Sequence, residues 1–268
     1  MASPPTDPAR PANGSTRFPL DPADRPAILP SIMTRSHLHL LALVFLSVLP
    51  ALHAQADREY IIVSGGPSLD IWEKYKAAPH DRFWGNFIRS ARYRIQELRQ
   101  QYGPSARITW LVYRPGYERR DRYHEAENDL IGNIVSVRDK YGVNLVWFDE
   151  GADVINYLNA GLPRNQVKIA SFDFFGHSNR ACFMFDYSNE IDSASKAWLH
   201  ENELKNIRRG IFTKDAVIKS WGCHTGESMS KAWKKATGKR MIGAIGKTDY
   251  STISTPGVMP AVNGRWGG

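Results

Sequence analysis

Hydrophobic positions along the chain fall into short runs that alternate with amphipathic stretches. Glu59–Val63 (EYIIV), Arg107–Tyr113 (RITWLVY), Asn144–Phe148 (NLVWF), Val167–Phe175 (VKIASFDFF), Ala216–Trp221 (AVIKSW) and Arg240–Ile245 (RMIGAI) are nearly continuous apolar runs. Such runs, bounded by turn residues, are expected of strands buried on both faces. Between them, Phe83–Tyr102 places Trp84, Phe87, Ile88, Ala91, Ile95, Leu98 and Tyr102 three or four residues apart. That period predicts a helix with one buried face. Asp129–Tyr141, Asp153–Asn159 and Ser228–Thr237 are shorter helices by the same criterion. YRPGYERRDRYHE after the second run is read as a polar loop, and Ala181–Tyr187 as a strand in a hairpin. RMIGAI is the last clear strand. Strand–helix–strand alternation of this kind predicts a three-layer α/β/α sandwich around a mostly parallel sheet.

The first 56 residues do not follow this pattern. Residues 1–32 carry 8 of the chain's 16 prolines and no apolar period, so neither a ladder nor a helix can form there. Met33 opens another arrangement: Arg35, the 12-residue run Leu38–Leu49, Pro50, and Ala54-Gln55-Ala56. A positive start, a short apolar stretch and an A-x-A site make a secretory signal peptide, too short for the about 20 residues of a membrane span. The expected organisation is an extension over 1–32 that is not translated if Met33 is the start, a signal peptide over 33–56, and a single domain over 57–268. The mature protein is expected to be secreted or periplasmic, starting at Gln55 or Asp57, with no membrane association after cleavage.

Composition narrows the function classes. With 42% hydrophobic and 23% charged residues the chain is of globular type. Two cysteines in 268 residues exclude a disulfide-stapled miniprotein and a zinc–cysteine cluster. The net charge of +8 favours acidic partners without naming one. Arg89, Arg92 and Arg99 share one face of the long helix. This face is read as solvated, with no nucleic-acid partner.

Two chemically active residues follow apolar runs: His177 after SFDFFG and Cys223 after AVIKSWG. If those strands are parallel in one sheet, an imidazole and a thiol emerge on its carboxyl edge, where α/β sheets carry their sites. Cys223 is also expected at the amino end of the helix over 228–237, whose partial charge would favour thiolate. Rival readings are a Cys182–Cys223 disulfide, a Gly176-His177-Ser178-Asn179-Arg180 nucleophile elbow with Ser178 attacking, and a metal site of His177, His200 and His224. Gly65-Gly66-Pro67 lacks the glycine spacing and lysine of a phosphate loop and is read as a tight turn.

FDFFGHSN (172–179) and AVIKSWGCHTGES (216–228) together resemble the caspase-like, clan CD cysteine peptidases. There a strand leads into His-Gly and a later strand into Cys. Gly222-Cys223-His224-Thr225-Gly226 is similar to the Cys-x-Thr-Gly turn of CHAT-type domains. The 46-residue separation is close to the about 50 of caspases. The resemblance covers roughly residues 167–245 and departs from the family at Ser178, where Gly is usual. It implies a caspase-like fold and a secreted cysteine endopeptidase acting on peptide or protein substrates, with no metal and no cofactor. Cys223 would be the nucleophile and His177 the acid–base. The N–H groups of Ser178 and Cys223 would hold the oxyanion, and Asp249 would line the substrate pocket, with Asp186 and Glu227 as rivals. A caspase-like scaffold that binds without cutting is the alternative, and a Ser178 esterase a further one.

Overall fold

The computed structural model describes residues 57–67, 85–123, 129–187 and 197–268. The proline-rich extension, the expected signal peptide and the expected helical positions Phe83 and Trp84 lie outside the described residues. The elements are β1 (Arg58–Ser64), α1 (Asn86–Tyr102), β2 (Arg107–Tyr113), α2 (Arg114–Tyr123), α3 (Leu130–Tyr141), β3 (Asn144–Phe148), α4 (Gly151–Ala160), β4 (Lys168–Phe175), β5 (His177–Ser178), β6 (Cys182–Met184), β7 (Trp198–His200), β8 (Phe212–Ser220), α5 (Ser228–Thr237), β9 (Met241–Asp249) and β10 (Ala261–Gly267). A 3-10 helix, Glu201–Asn206, follows β7, and another, Ser251–Ser254, follows β9.

Seven strands form the main sheet in the order β10-β9-β8-β4-β1-β2-β3, and β5-β6-β7 form a small antiparallel one. Six strands of the main sheet are parallel; β10 runs antiparallel to β9. Alternate residues of each strand feed two separate cores, as the pleat demands. Ile61, Val63, Leu111, Phe172 and Phe174 pack with Val154 and Leu158 of α4 and Met229 and Trp233 of α5. Tyr60, Ile62, Trp110 and Val112 pack on the other face with Phe87, Ala91, Ile95 and Leu98 of α1 and Ile134 and Val137 of α3. Helices therefore cover both faces of a mostly parallel sheet, as the alternation of patterns predicts.

Two expectations are corrected. The segment after β2 is helix α2, not a loop. Pro115 is tolerated in a first turn, where no intrahelical donor is needed, and Tyr117 and Arg120 are buried within an otherwise polar sequence. A further strand, β10, follows the run read as last. On α1, Arg99 is engaged locally: its guanidinium donates to the carbonyls of Pro104, Ala106, Tyr141 and Gly142. It clamps the α1–β2 and α3–β3 turns together. Among the described residues no helix is long and apolar enough to cross a membrane.

Candidate active site

β4 and β8 are parallel neighbours, with Phe172 opposite Ile218 and Phe174 opposite Ser220. The ladder continues one bond further, from Trp221 N–H to Phe174 O at 2.8 Å. Beyond it the chain from β4 passes through Gly176 into His177, and the chain from β8 through Gly222 into Cys223. Imidazole and thiol thus leave adjacent strands, about 4.8 Å apart in the sheet, at one carboxyl edge. Both residues are half-buried. The His177 ring meets the edge of Phe87 at 5.1 Å between centroids and tilts against Tyr187 at 5.4 Å.

The two turns are joined directly. Ser178 Oγ donates to the Cys223 carbonyl at 2.7 Å. A Cβ on residue 222 would stand 2.2 Å from that Oγ and 3.2 Å from the Gly176 carbonyl, so the approach requires glycine at 222. Tyr250 braces the same place from below. Its hydroxyl donates to Trp221 O at 3.1 Å. Burial holds this phenol protonated far above the ordinary range, so the donor is present at every working pH. Thr225, fully buried, fixes the cysteine turn from within: its hydroxyl is 2.8 Å from Ser220 Oγ and 3.1 Å from Gly222 O.

The sulfur itself touches β9. The Thr248 N–H donates to Cys223 Sγ at 3.3 Å, and Thr248 Oγ1 lies 3.3 Å from the same atom. The expectation that α5 places its amino end at the thiol is corrected. α5 begins at Ser228, five residues on, and its leading amides are consumed: Met229 N–H by Arg180 O, Ser230 N–H by Thr225 O. The polar neighbours of the sulfur come from β9, a strand whose candidate residue in the sequence is Asp249 and not Thr248. Thr248 carried no signal in the sequence beyond its position near the end of a strand.

The other candidates separate clearly. Cys182 and Cys223 are both free thiols, which removes the disulfide reading. Burial, with Glu203 and Glu201 nearby, pushes the Cys182 thiol up to about 11, so it is protonated and inert near neutrality. Ser178 lies in β5 and leads into an antiparallel hairpin with β6, not into a helix; the strand-to-helix turn of a nucleophile elbow is missing. Asp186 is buried, with Oδ1 on Arg119 and Oδ2 on the Tyr113 hydroxyl, each below 3 Å, and is neutralised within the fold. Glu227 bridges Arg180 (2.6 Å) and His224 Nδ1 (2.8 Å). The His224 hydrogen bond and the Arg180 charge hold its carboxyl below the ordinary range. His200 caps the 3-10 helix after β7 by accepting the Asn202 N–H, away from a shared site with His177. Asp249 ends β9 beside Thr248, half-buried, and its Oδ1 accepts the Ser251 N–H at 2.8 Å. Among the described residues no acceptor takes the Cys223 N–H.

These residues define an α/β protein with a thiol and an imidazole brought to one sheet edge by neighbouring parallel strands. No family model matches the chain, and neither the curated proteins nor the solved structures compared with it give a match.

Proposed function

We propose that the protein is a secreted, caspase-like cysteine endopeptidase. The observation that carries this reading is the adjacency of β4 and β8, which brings His177 and Cys223 to the same carboxyl edge. Cys223 attacks the substrate carbonyl as thiolate, forming the acyl–sulfur bond. His177 gives a proton to the leaving amine and then takes one from the water that hydrolyses the thioester. The Cys223 N–H, together with that of Ser178, holds the developing oxyanion. The N–H of Thr248 is aimed at Sγ. Asp249, next in sequence, is the acid placed to meet a basic substrate side chain.

The test is cleavage of a peptide library at neutral pH under reducing conditions. Wild type should cut, Cys223→Ala should not, and His177→Ala should lose at least the 10²- to 10⁴-fold that a positioned acid–base supplies. If wild type cuts nothing, or Cys223→Ala cuts as well as wild type, the peptidase reading fails and a binding scaffold takes its place.

A further inference from the structure

At the opposite edge of the sheet, the amino ends of β4 and β8 frame a cleft of about 600 Å³. Leu162, Pro163 and Ile211 give it an apolar floor, and Lys168, Arg208 and Arg209 stand on its rim. The eight residues of β4 separate it from His177 by about 26 Å, at about 3.3 Å per residue. It is therefore a second location, and nothing argued for it depends on the peptidase reading.

The rim cations are held by neutral acceptors. Lys168 Nζ donates to Gly210 O at 2.5 Å, Arg208 Nη2 to Asn159 O, and Arg209 to the carbonyls of Ala236 (3.1 Å) and Lys235 (2.7 Å). A carbonyl fixes the direction of a cation without cancelling its charge. The nearby acids are largely committed: Glu59 to the buried Arg164, and Asp215 to Arg58 at 2.9 Å. Asp57, which accepts the Lys168 N–H through its carbonyl, is the remaining exposed carboxylate beside the rim. Lys234 and Lys235 in the last turn of α5 extend the positive field.

We propose that this cleft binds a compact organic phosphate. A phosphomonoester carries a charge of about −1.5 to −2 at neutral pH and three acceptor oxygens, which suits a rim of three cations better than a single carboxylate does. Bare phosphate would leave most of the cleft empty, and its volume is in the range of small-molecule sites, about 300–1,000 Å³. The carbon skeleton rests on Leu162, Pro163 and Ile211 while the phosphate meets Lys168, Arg208 and Arg209. Such a group arrives either on a soluble sugar phosphate or on a phosphatidic acid headgroup.

Titration calorimetry on the Cys223→Ala protein tests this without regard to catalysis. Glucose 6-phosphate should bind saturably, more weakly as salt rises, and glucose should not bind. Lys168→Glu should weaken binding at least tenfold. Arg209→Gln serves as a second variant, with circular dichroism checking that it is folded, because Arg209 also holds the end of α5. Vesicles containing phosphatidic acid, against phosphatidylcholine alone, distinguish the sources: binding to these vesicles but not to glucose 6-phosphate assigns the headgroup, and the reverse assigns the soluble ester. The proposal is overturned if neither phosphomonoester binds, if glucose binds equally, or if folded Lys168→Glu and Arg209→Gln both bind as wild type does.

Discussion

Tyr250→Phe removes one oxygen and leaves the ring. The ring's edge contact with Phe87, 5.2 Å between centroids, survives the change, so the effect isolates the hydroxyl. That hydroxyl donates to Trp221 O, and it sits in a residue only 8% exposed. Its loss strands a carbonyl where water is scarce. A net hydrogen bond contributes about 1 kcal/mol, and a buried group left unpaired costs about 1–3 kcal/mol. We therefore expect a destabilisation of about 2 kcal/mol. For a domain of this size that lowers Tm by about 4–8 °C. Urea unfolding followed by circular dichroism reads the same loss as a lower midpoint at unchanged m. Because the stranded carbonyl lies just past β8, two residues before Cys223, turnover should fall beyond what the unfolded fraction explains. Misplacement of reacting groups by about 1 Å costs on the order of 10²-fold. An unfolding midpoint within 0.5 kcal/mol of wild type, a margin about the size of a neutral surface change, would refute the idea that Tyr250 holds this strand end.

Three further outcomes are expected. Ser178→Ala should lower stability by about 1 kcal/mol and reduce turnover severalfold, since the hydroxyl ties β5 to the Cys223 carbonyl; calorimetry and the peptide assay read both, and silence in both would show that the tie does not matter. Glu59→Gln should cost about 3–5 kcal/mol, because it leaves Arg164 buried without its carboxylate; a loss below about 1 kcal/mol in urea would contradict this. Lys219 is packed with Nζ 3.4 Å from the Trp221 ring centroid and 4.1 Å from that of Trp266, and burial lowers it from 10.5 to about 8. Between those values the unfolded chain holds a proton that the folded one has released, so this group makes stability rise with pH across that window. Tryptophan emission should titrate with a midpoint near pH 8 and lose that step in Lys219→Met; a midpoint at or above 10 would exclude the buried state.

The sequence made some elements legible because one physical signal dominated them. β4 is buried on both faces and β8 carries the short apolar run AVI ahead of Ser220 and Trp221, although much of β8 is exposed, so both runs stand out and the residues just past them could be placed on one edge from the sequence. α5 was legible because Met229 and Trp233 recur on its buried face and Gly238 ends it with a left-handed φ of 77°. α2 was not, because Tyr117 and Arg120 are its buried anchors in a segment that is otherwise charged. β10 (AVNGRWG) has no apolar run, since an antiparallel edge strand with mostly exposed positions needs none. Thr248 could not be found from pattern at all: its role depends on how far the cysteine turn reaches across to β9, and that is a tertiary distance.

That reach has its own cause. β8 and β9 pair through only two residue pairs, Ile218 with Met241 and Lys219 with Ile242, too few to fix what happens six residues later at Thr248. The cysteine turn extends the pairing itself. His224 N–H donates to Gly246 O at 2.8 Å and Gly226 N–H to Ala244 O at 2.9 Å. Both bonds demand close backbone approach: a Cβ on Gly226 would lie 2.4 Å from Gly243 O. They also demand that His224 take a φ of 61°, the only positive value at a non-glycine among the described residues, a conformation that costs free energy. In Gly222-Cys223-His224-Thr225-Gly226, the two glycines admit neighbouring backbone, Thr225 pins the turn, and His224 bears the strain. The turn is thereby fastened along β9, and Cys223 is left facing Thr248. The motif is a fastening device as much as a chemical one.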